Sequence, residues 1–169
     1  LMDLALIYSI QGLYNKAEPL YLRFLSIKEK YLGTDHPDTT PALNNLALLY
    51  HYQGKYSKAE DIYLRVLSIE EKTLGEKHPK IAYFINNFAN LYKDKGLLSK
   101  AEPLYLRALS ILEKDLGTNH LDTAGVLDSL ANLYTRQGVY NKAESHSLRA
   151  LSITEKNLGP NHPETADKL

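Results

Sequence analysis

The sequence predicts an all-α protein, an α-solenoid of antiparallel helix pairs that repeat every 42 residues. Eight of the nine glycines fall on this spacing, and no insertion or deletion interrupts it. Within each period the apolar residues recur at helical intervals. The two glycine series are Gly12, Gly54, Gly96, Gly138 and Gly33, Gly75, Gly117, Gly159. Gly125 alone lies outside them.

The first helix of each period, which we call helix A, is predicted over about residues 39–53 in the second copy. Its apolar positions follow the i, i+3, i+4, i+7 pattern of an amphipathic helix: Leu43, Leu46, Ala47 and Tyr50. Gly54 follows, and glycine commonly ends a helix because it adopts the left-handed conformation without steric cost.

The second helix, helix B, is predicted over about residues 57–74. Ser57 and Glu60 have the spacing of a capping box. Apolar residues then continue at helical spacing as far as Gly75. Helices of this length joined by tight turns form antiparallel pairs, and stacked pairs form a solenoid.

The chain is predicted to be a single array over residues 1–169, with repeats at approximately 1–42, 43–84, 85–126 and 127–168. Leu1 has the register of Leu43, so the first helix A begins part-way through its pattern. Neither end shows a polar capping helix of the kind that completes a solenoid. We therefore expect the chain to be a segment of a longer array.

The segment Leu-Asn-Asn-Leu-Ala-Leu-Leu-Tyr (43–50), followed by Gly54 and by Tyr-Ser-Lys-Ala-Glu (56–60), resembles the tetratricopeptide repeat (TPR). The usual period of that family is 34 residues. The longer period here, with the segments at 101–111 and 32–37, is similar to the kinesin-light-chain subtype. The resemblance covers the whole chain, and it implies a right-handed superhelix that binds other proteins.

Composition excludes several classes of function. Twenty basic and twenty acidic residues give a formal net charge of zero, which argues against a dedicated nucleic-acid-binding protein. The chain has no cysteine, so disulfides, zinc–thiolate sites and thiol nucleophiles are excluded. No apolar run is long enough to span a bilayer. We expect a cytoplasmic protein with no membrane or nucleic-acid partner.

Catalysis is not expected from this sequence. It contains no Gly-x-Ser-x-Gly, no glycine-rich phosphate loop with Lys-Ser/Thr, and no His-Glu-x-x-His. No cofactor is predicted.

Four histidines recur on the repeat: His36, His78, His120 and His162. Adjacent repeats are displaced by about 10 Å, one helix diameter, whereas a zinc-bound histidine nitrogen lies ~2 Å from the ion. Equivalent histidines therefore cannot share a metal ion. We expect each of them to make a hydrogen bond in the loop to a neighbouring helix end.

An arginine and a glutamate also recur at fixed places in every copy. The arginines are Arg23, Arg65, Arg107 and Arg149, and the glutamates are Glu29, Glu71, Glu113 and Glu155. Pairing between neighbouring repeats explains this pattern better than ligand recognition does, the alternative being a ladder that binds phosphate or carboxylate groups.

The side of helix A away from its packing arc differs most between copies. Adjacent asparagines in mid-helix cost a few tenths of a kcal/mol each, and a carboxamide can pair with both polar groups of a peptide backbone. In tetratricopeptide proteins helix A lines the concave groove, and asparagines there often hold peptide backbone. The resemblance therefore assigns a backbone-holding role to Asn44, Asn45, Asn86, Asn87, Asn90 and Asn132.

The other predicted groove residues would select the side chains of the ligand: Leu48, His51, Tyr52, Lys93 and Arg136, with Asp128 on the same arc. Two alternatives stay open. An ordinary solvated helix face would also differ between copies, and some of the amides would instead bridge neighbouring repeats.

Three functions are compatible with this pattern. The first is a module whose groove binds an extended peptide or a helix of a partner protein. The second is a structural spacer or self-assembly segment of a larger protein, with end-to-end association through uncapped terminal repeats. The third is a sensor array that regulates an attached effector domain.

Overall fold

A computed structural model describes residues 1–166 and divides the chain into two compact units, Leu1–Glu76 and a second unit that begins at Lys77. The described residues form helices and no strand. The first unit contains α1 (Met2–Ile10), α2 (Tyr14–Leu32), a short 3-10 turn (Pro37–Thr39), α3 (Thr40–Tyr52) and α4 (Tyr56–Leu74). The second contains α5 (Pro79–Asp94), α6 (Leu98–Asp115), α7 (Leu121–Gln137), α8 (Tyr140–Leu158) and α9 (Pro163–Ala166).

The predicted alternation of helices A and B is confirmed. Helix A corresponds to α1, α3, α5 and α7, and helix B to α2, α4, α6 and α8. Each helix A packs against the helix B that follows it. The number of repeats in the array and the handedness of a superhelix stay predictions.

Glycine makes the turn between helices A and B. Gly54 has a φ of 71°, in the left-handed region, which a residue with a Cβ rarely adopts. The turn directs the N–H of Lys55 to the carbonyl of Tyr50 at 2.8 Å and the N–H of Gly54 to that of His51 at 2.9 Å. The chain thereby satisfies two of the carbonyls that a helix C-terminus leaves unpaired.

The predicted capping box at Ser57 is wrong. Helix α4 begins at Tyr56, and its N-cap residue is Lys55, which makes no side-chain capping bond. Because the helix starts directly after the glycine turn, Ser57 already lies inside the first turn. A capping side chain must precede that turn in order to reach its free N–H groups.

Small residues lie at corresponding buried positions of each helix B. Ala17, Ala59 and Ala101 are fully buried, and Ala143 is nearly so. Four residues further along, the rings of Tyr21, Tyr63 and Tyr105 are also buried. An alanine lets two helix backbones approach closely, and the tyrosine fills the space one turn away.

Each recurring histidine makes a hydrogen bond to the start of the helical segment that follows it, as expected from the sequence. His78 is the N-cap of α5, and its Nδ1 accepts the backbone N–H of Lys80 at 3.2 Å. Equivalent bonds at His36, His120 and His162 measure 3.2, 3.2 and 3.3 Å. Among the described residues, no group of three or more His, Asp and Glu side chains is placed to hold a metal ion.

The predicted pairing of arginine with glutamate between neighbouring repeats is confirmed at two junctions. Arg65 Nη2 lies 2.6 Å from Glu29 Oε1, and Arg149 Nη2 lies 2.6 Å from Glu113 Oε1. The arginines also donate to the backbone carbonyls of Thr34 and Thr118. Each pair joins one helix B to the helix B of the preceding repeat. Because all four side chains are partly exposed, each pair contributes at most ~1 kcal/mol.

A second polar contact joins helix A to the preceding helix B. The hydroxyl of Tyr50 donates to Glu18 Oε1 at 2.9 Å, and that of Tyr134 donates to Glu102 Oε1 at 2.8 Å. Burial of the ring and the nearby carboxylate raise the pKa of each tyrosine to about 12. These tyrosines therefore both fill the core and fix the stacking of successive repeats.

Within residues 1–166, no helix is both long enough and apolar enough to cross a bilayer.

The buried alanines give a direct test of this packing. Ala101→Leu should lower the free energy of unfolding by roughly 1–3 kcal/mol, because a larger side chain overpacks a fully buried position. Ser110→Leu places the same residue on an exposed position of the same helix, and it should change stability by less than ~0.5 kcal/mol. Urea denaturation of both variants measures the difference, and equal effects would contradict the packing described.

Candidate functional site

The sequence-predicted groove residues fall into two classes in the structure. Three of them are buried, with exposed fractions of 2% for Asn44, 7% for His51 and 9% for Asn87. Their predicted contact with a ligand is corrected here, since a buried side chain offers a partner almost no surface. A helical wheel divides a helix into one packed and one free arc, but a helix in a stacked array is packed on more than one side.

The remaining predicted residues keep some exposed surface and form a narrower strip on helix A. In the first unit these are Asn45, Leu48 and Tyr52, all on α3. In the second unit they are Asn86, Asn90 and Lys93 on α5, and Asp128, Asn132 and Arg136 on α7. We call the first set, together with the α1 side chains beside it, the α1/α3 groove. We call the second set the α5/α7 groove.

The α1/α3 groove contains a cavity of about 340 Å³ with no charged residue in its lining. Helix α3 contributes Asn45, Leu48 and Tyr52, while α1 contributes Leu6 and Ile10. The ring of Tyr52 is largely exposed and stacks on that of Tyr14, with centroids 6.4 Å apart. Asn45 is the only carboxamide in the lining.

Sequence reasoning missed the α1 side of this groove. In the first copy, Leu6 occupies the repeat position of Leu48, and Ile10 occupies that of Tyr52. This correspondence could have identified them. Their contribution makes the α1/α3 groove apolar.

In the α5/α7 groove, Asn90 is bonded within the fold. Its Oδ1 accepts the hydroxyl of Tyr105 at 2.6 Å and Nζ of Lys93 at 3.0 Å. The Tyr105 ring is fully buried, and this burial raises the pKa of its hydroxyl well above the usual range. Asn90 therefore satisfies a buried donor that would otherwise lack a partner, a role that the sequence did not indicate.

Lys93 and Arg136 lie close together at one end of the α5/α7 groove. Arg136 Nη1 lies 3.3 Å from Asp94 Oδ1 and 3.3 Å from the backbone carbonyl of Lys93. Burial lowers the pKa of Lys93, because its ammonium group is partly removed from water. The structure thus brings three charged side chains from two helices into one patch.

At the other end of the α5/α7 groove is a cavity of about 380 Å³. Its lining includes Tyr83 and Asn86 from α5, Gly125 and Val126 from α7, and Leu112 from α6. Asn86 Oδ1 is buried and has no hydrogen-bond partner. The groove residues predicted from the sequence begin one helical turn after Tyr83 and Gly125 and therefore do not include them. These two residues occupy the same repeat position in successive repeats.

The asparagines thus differ in what they can offer a ligand. Asn132 is exposed, while Asn45 and Asn86 are partly exposed and border the two cavities. Asn90 is bonded to Tyr105 and Lys93. The structure thus places carboxamides beside cavities. This arrangement suits a ligand whose polar backbone lies next to its apolar side chains.

Two family models, both described as tetratricopeptide repeat, match the chain. One matches residues 1–72, 42–114 and 80–138, and the other matches residues 123–164. None of the curated proteins matches the sequence.

Solved structures with the same fold include one described as a putative kinesin light chain. The crystal structure of BtubC (BKLC) from P. vanneervenii is 28% identical with a TM-score of 0.83, and the match covers 98% of this chain and 66% of that one. The putative kinesin light chain of Podosopora anserina, which has nearly identical TPR-like repeats, is 25% identical with a TM-score of 0.82 and coverages of 99% and 79%. The apo form of RapI, at 21% identity and a TM-score of 0.77, shares the fold over 92% of this chain and 54% of its own.

The distinction between Asn90 and Asn132 can be tested through stability. Asn90→Ala leaves the buried hydroxyl of Tyr105 without its acceptor, so the free energy of unfolding should fall by ~1–3 kcal/mol. Asn132 has the same register but faces solvent, so Asn132→Ala should change it by less than ~0.5 kcal/mol. Urea denaturation provides the measurement. If Asn90→Ala is as stable as the wild type, Asn90 is not needed by the fold and is available to a ligand.

Proposed function

The chain belongs to the tetratricopeptide repeat family, and from that premise we propose that it is a non-catalytic binding module whose helix A grooves hold an extended segment of a partner protein. Repeats of this family generally mediate contacts between proteins and act as non-catalytic scaffolds. The observation that carries the proposal is the placement of Asn45 and Asn86 beside the two helix A cavities.

The chemistry of the carboxamide favours an extended ligand. A side-chain amide offers one acceptor oxygen and two donor hydrogens, which complement the exposed C=O and N–H groups of an extended backbone. A helical ligand has already used most of these groups internally. Asn45, Asn86 and Asn132 are therefore matched better by an extended segment than by a helix.

The two grooves differ in the ligand side chains that they suit. The cavity of the α1/α3 groove has an uncharged lining in which Leu6, Ile10 and Leu48 are exposed or partly exposed, so it favours an apolar residue. The α5/α7 groove carries Lys93, Asp94 and Arg136 at one end, so charged or polar residues of the partner suit that end. Self-assembly, a spacer role and regulation of an attached effector stay predictions.

The experiment begins with selection of peptides on the immobilised chain from a display library of random segments of roughly twelve residues. A ~10 Å helix spacing accommodates about three extended residues, so this length is more than sufficient to cross the two helices of either groove. The selected peptide is then titrated by calorimetry into the wild type and into Asn45→Ala and Asn132→Ala. Each variant should weaken binding by ~0.5–1.5 kcal/mol through the loss of about one net hydrogen bond, with no fall in melting temperature.

Ser68→Ala and Ser152→Ala serve as matched controls, because both serines are exposed on helix B. They should leave the affinity unchanged. Selection of no peptide, or an affinity that responds to the helix B variants and not to the asparagine variants, would contradict groove binding.

A further inference from the structure

Gly125 is the glycine that the repeat does not explain. It lies inside α7, where glycine is among the weakest helix formers. Its φ is not positive, so its backbone conformation does not call for glycine. A Cβ built at this position has no atom within 4 Å apart from its local backbone. Neither backbone geometry nor close packing therefore requires a glycine here.

The absence of a side chain at Gly125 opens the 380 Å³ cavity of the α5/α7 groove. The residue in the same register on α5 is Tyr83, whose exposed ring forms part of the cavity wall. Ala82, Leu112 and Val126 also line the cavity, and all three are buried apolar residues. A larger residue at position 125 would project into this space.

One polar side chain of α5 also lines the cavity. Asn86 lines it, and Asn86 Oδ1 is buried without a hydrogen bond. The residue as a whole is partly exposed, so a ligand in the cavity contacts the rest of this side chain. Lys80 and Asp122 contribute one charge of each sign to the lining, so the site favours an uncharged occupant.

We propose that this cavity is the subsite for one large apolar side chain of the bound partner segment, which enters the space left by Gly125. The proposal rests on the proposed function of the groove. The cavity volume lies near the lower end of the ~300–1,000 Å³ that ligand pockets span, which suits a single side chain. Gly125 then determines which residues the subsite admits.

The test combines two substitutions at one position. Gly125→Ala adds only a methyl group that meets open space, so the peptide selected on the wild type should bind it within about threefold. Gly125→Leu places a side chain in the cavity, and it should weaken the same peptide about tenfold or more. Both variants should melt at or above the wild-type temperature, because alanine and leucine form helix better than glycine.

A scan of the peptide identifies the inserted residue. Replacement of each peptide position by alanine should reveal one large apolar residue whose loss weakens binding to the wild type about tenfold. The same replacement should have little further effect on binding to Gly125→Leu, since the cavity is already filled. Tyr83→Ala, which removes part of the wall from an exposed position, should show the same loss of dependence on that residue. It provides a second test if Gly125→Leu does not fold.

The failure of this proposal is distinguishable from failure of the groove. If the peptide depends on Asn45 and Asn132 but binds Gly125→Leu as tightly as the wild type, the subsite is overturned and the groove stands. If no peptide is selected, or if no selected peptide loses affinity in the asparagine variants, both the groove proposal and the subsite proposal are contradicted.

Discussion

The architecture depends on the close packing of helix A on helix B and on the tyrosine buried beneath that contact. Alanines at the contact let the helices approach, and the rings of Tyr21 and Tyr105 are then removed from water. A buried hydroxyl without a partner costs ~1–3 kcal/mol, so the fold gains stability where helix A supplies one. Asn90 supplies it to Tyr105, and Ser9 lies 3.5 Å from the hydroxyl of Tyr21.

This bonding decides which of two equivalent asparagines on helix A remains available to a ligand. Asn90 is used by the fold because Tyr105 lies beneath it. One repeat later the tyrosine is replaced by Ser147, and Asn132, in the register of Asn90, faces solvent. The difference between two equivalent asparagines thus arises on helix B, in a residue that never reaches the groove. In the second unit, the asparagine that no buried tyrosine uses is the one that stays available to a ligand.

The sequence predicted the helices well, because a strict 42-residue period and glycine turns fix them locally. It also predicted that the recurring arginines and glutamates pair between neighbouring repeats, as Arg65 with Glu29 and Arg149 with Glu113 do. It did not predict the burial of Asn44, because a wheel drawn for one helix contains no information about the helices beside it. The cavity at Gly125 was missed for a related reason: it arises from a side chain that is absent, opposite one on a neighbouring helix.

The side-chain amide resonances of the asparagines test the central claim most directly. In a ¹⁵N–¹H correlation spectrum of the full chain, titrated with the peptide selected on it, the amide signals of Asn45, Asn86 and Asn132 should shift. Those of Asn141 and Asn157, on helix B, should stay in place, and that of Asn90 should shift less than that of Asn132, because its oxygen is already bonded to Tyr105. Shifts concentrated on the helix B asparagines, or equal shifts at Asn90 and Asn132, would contradict this account.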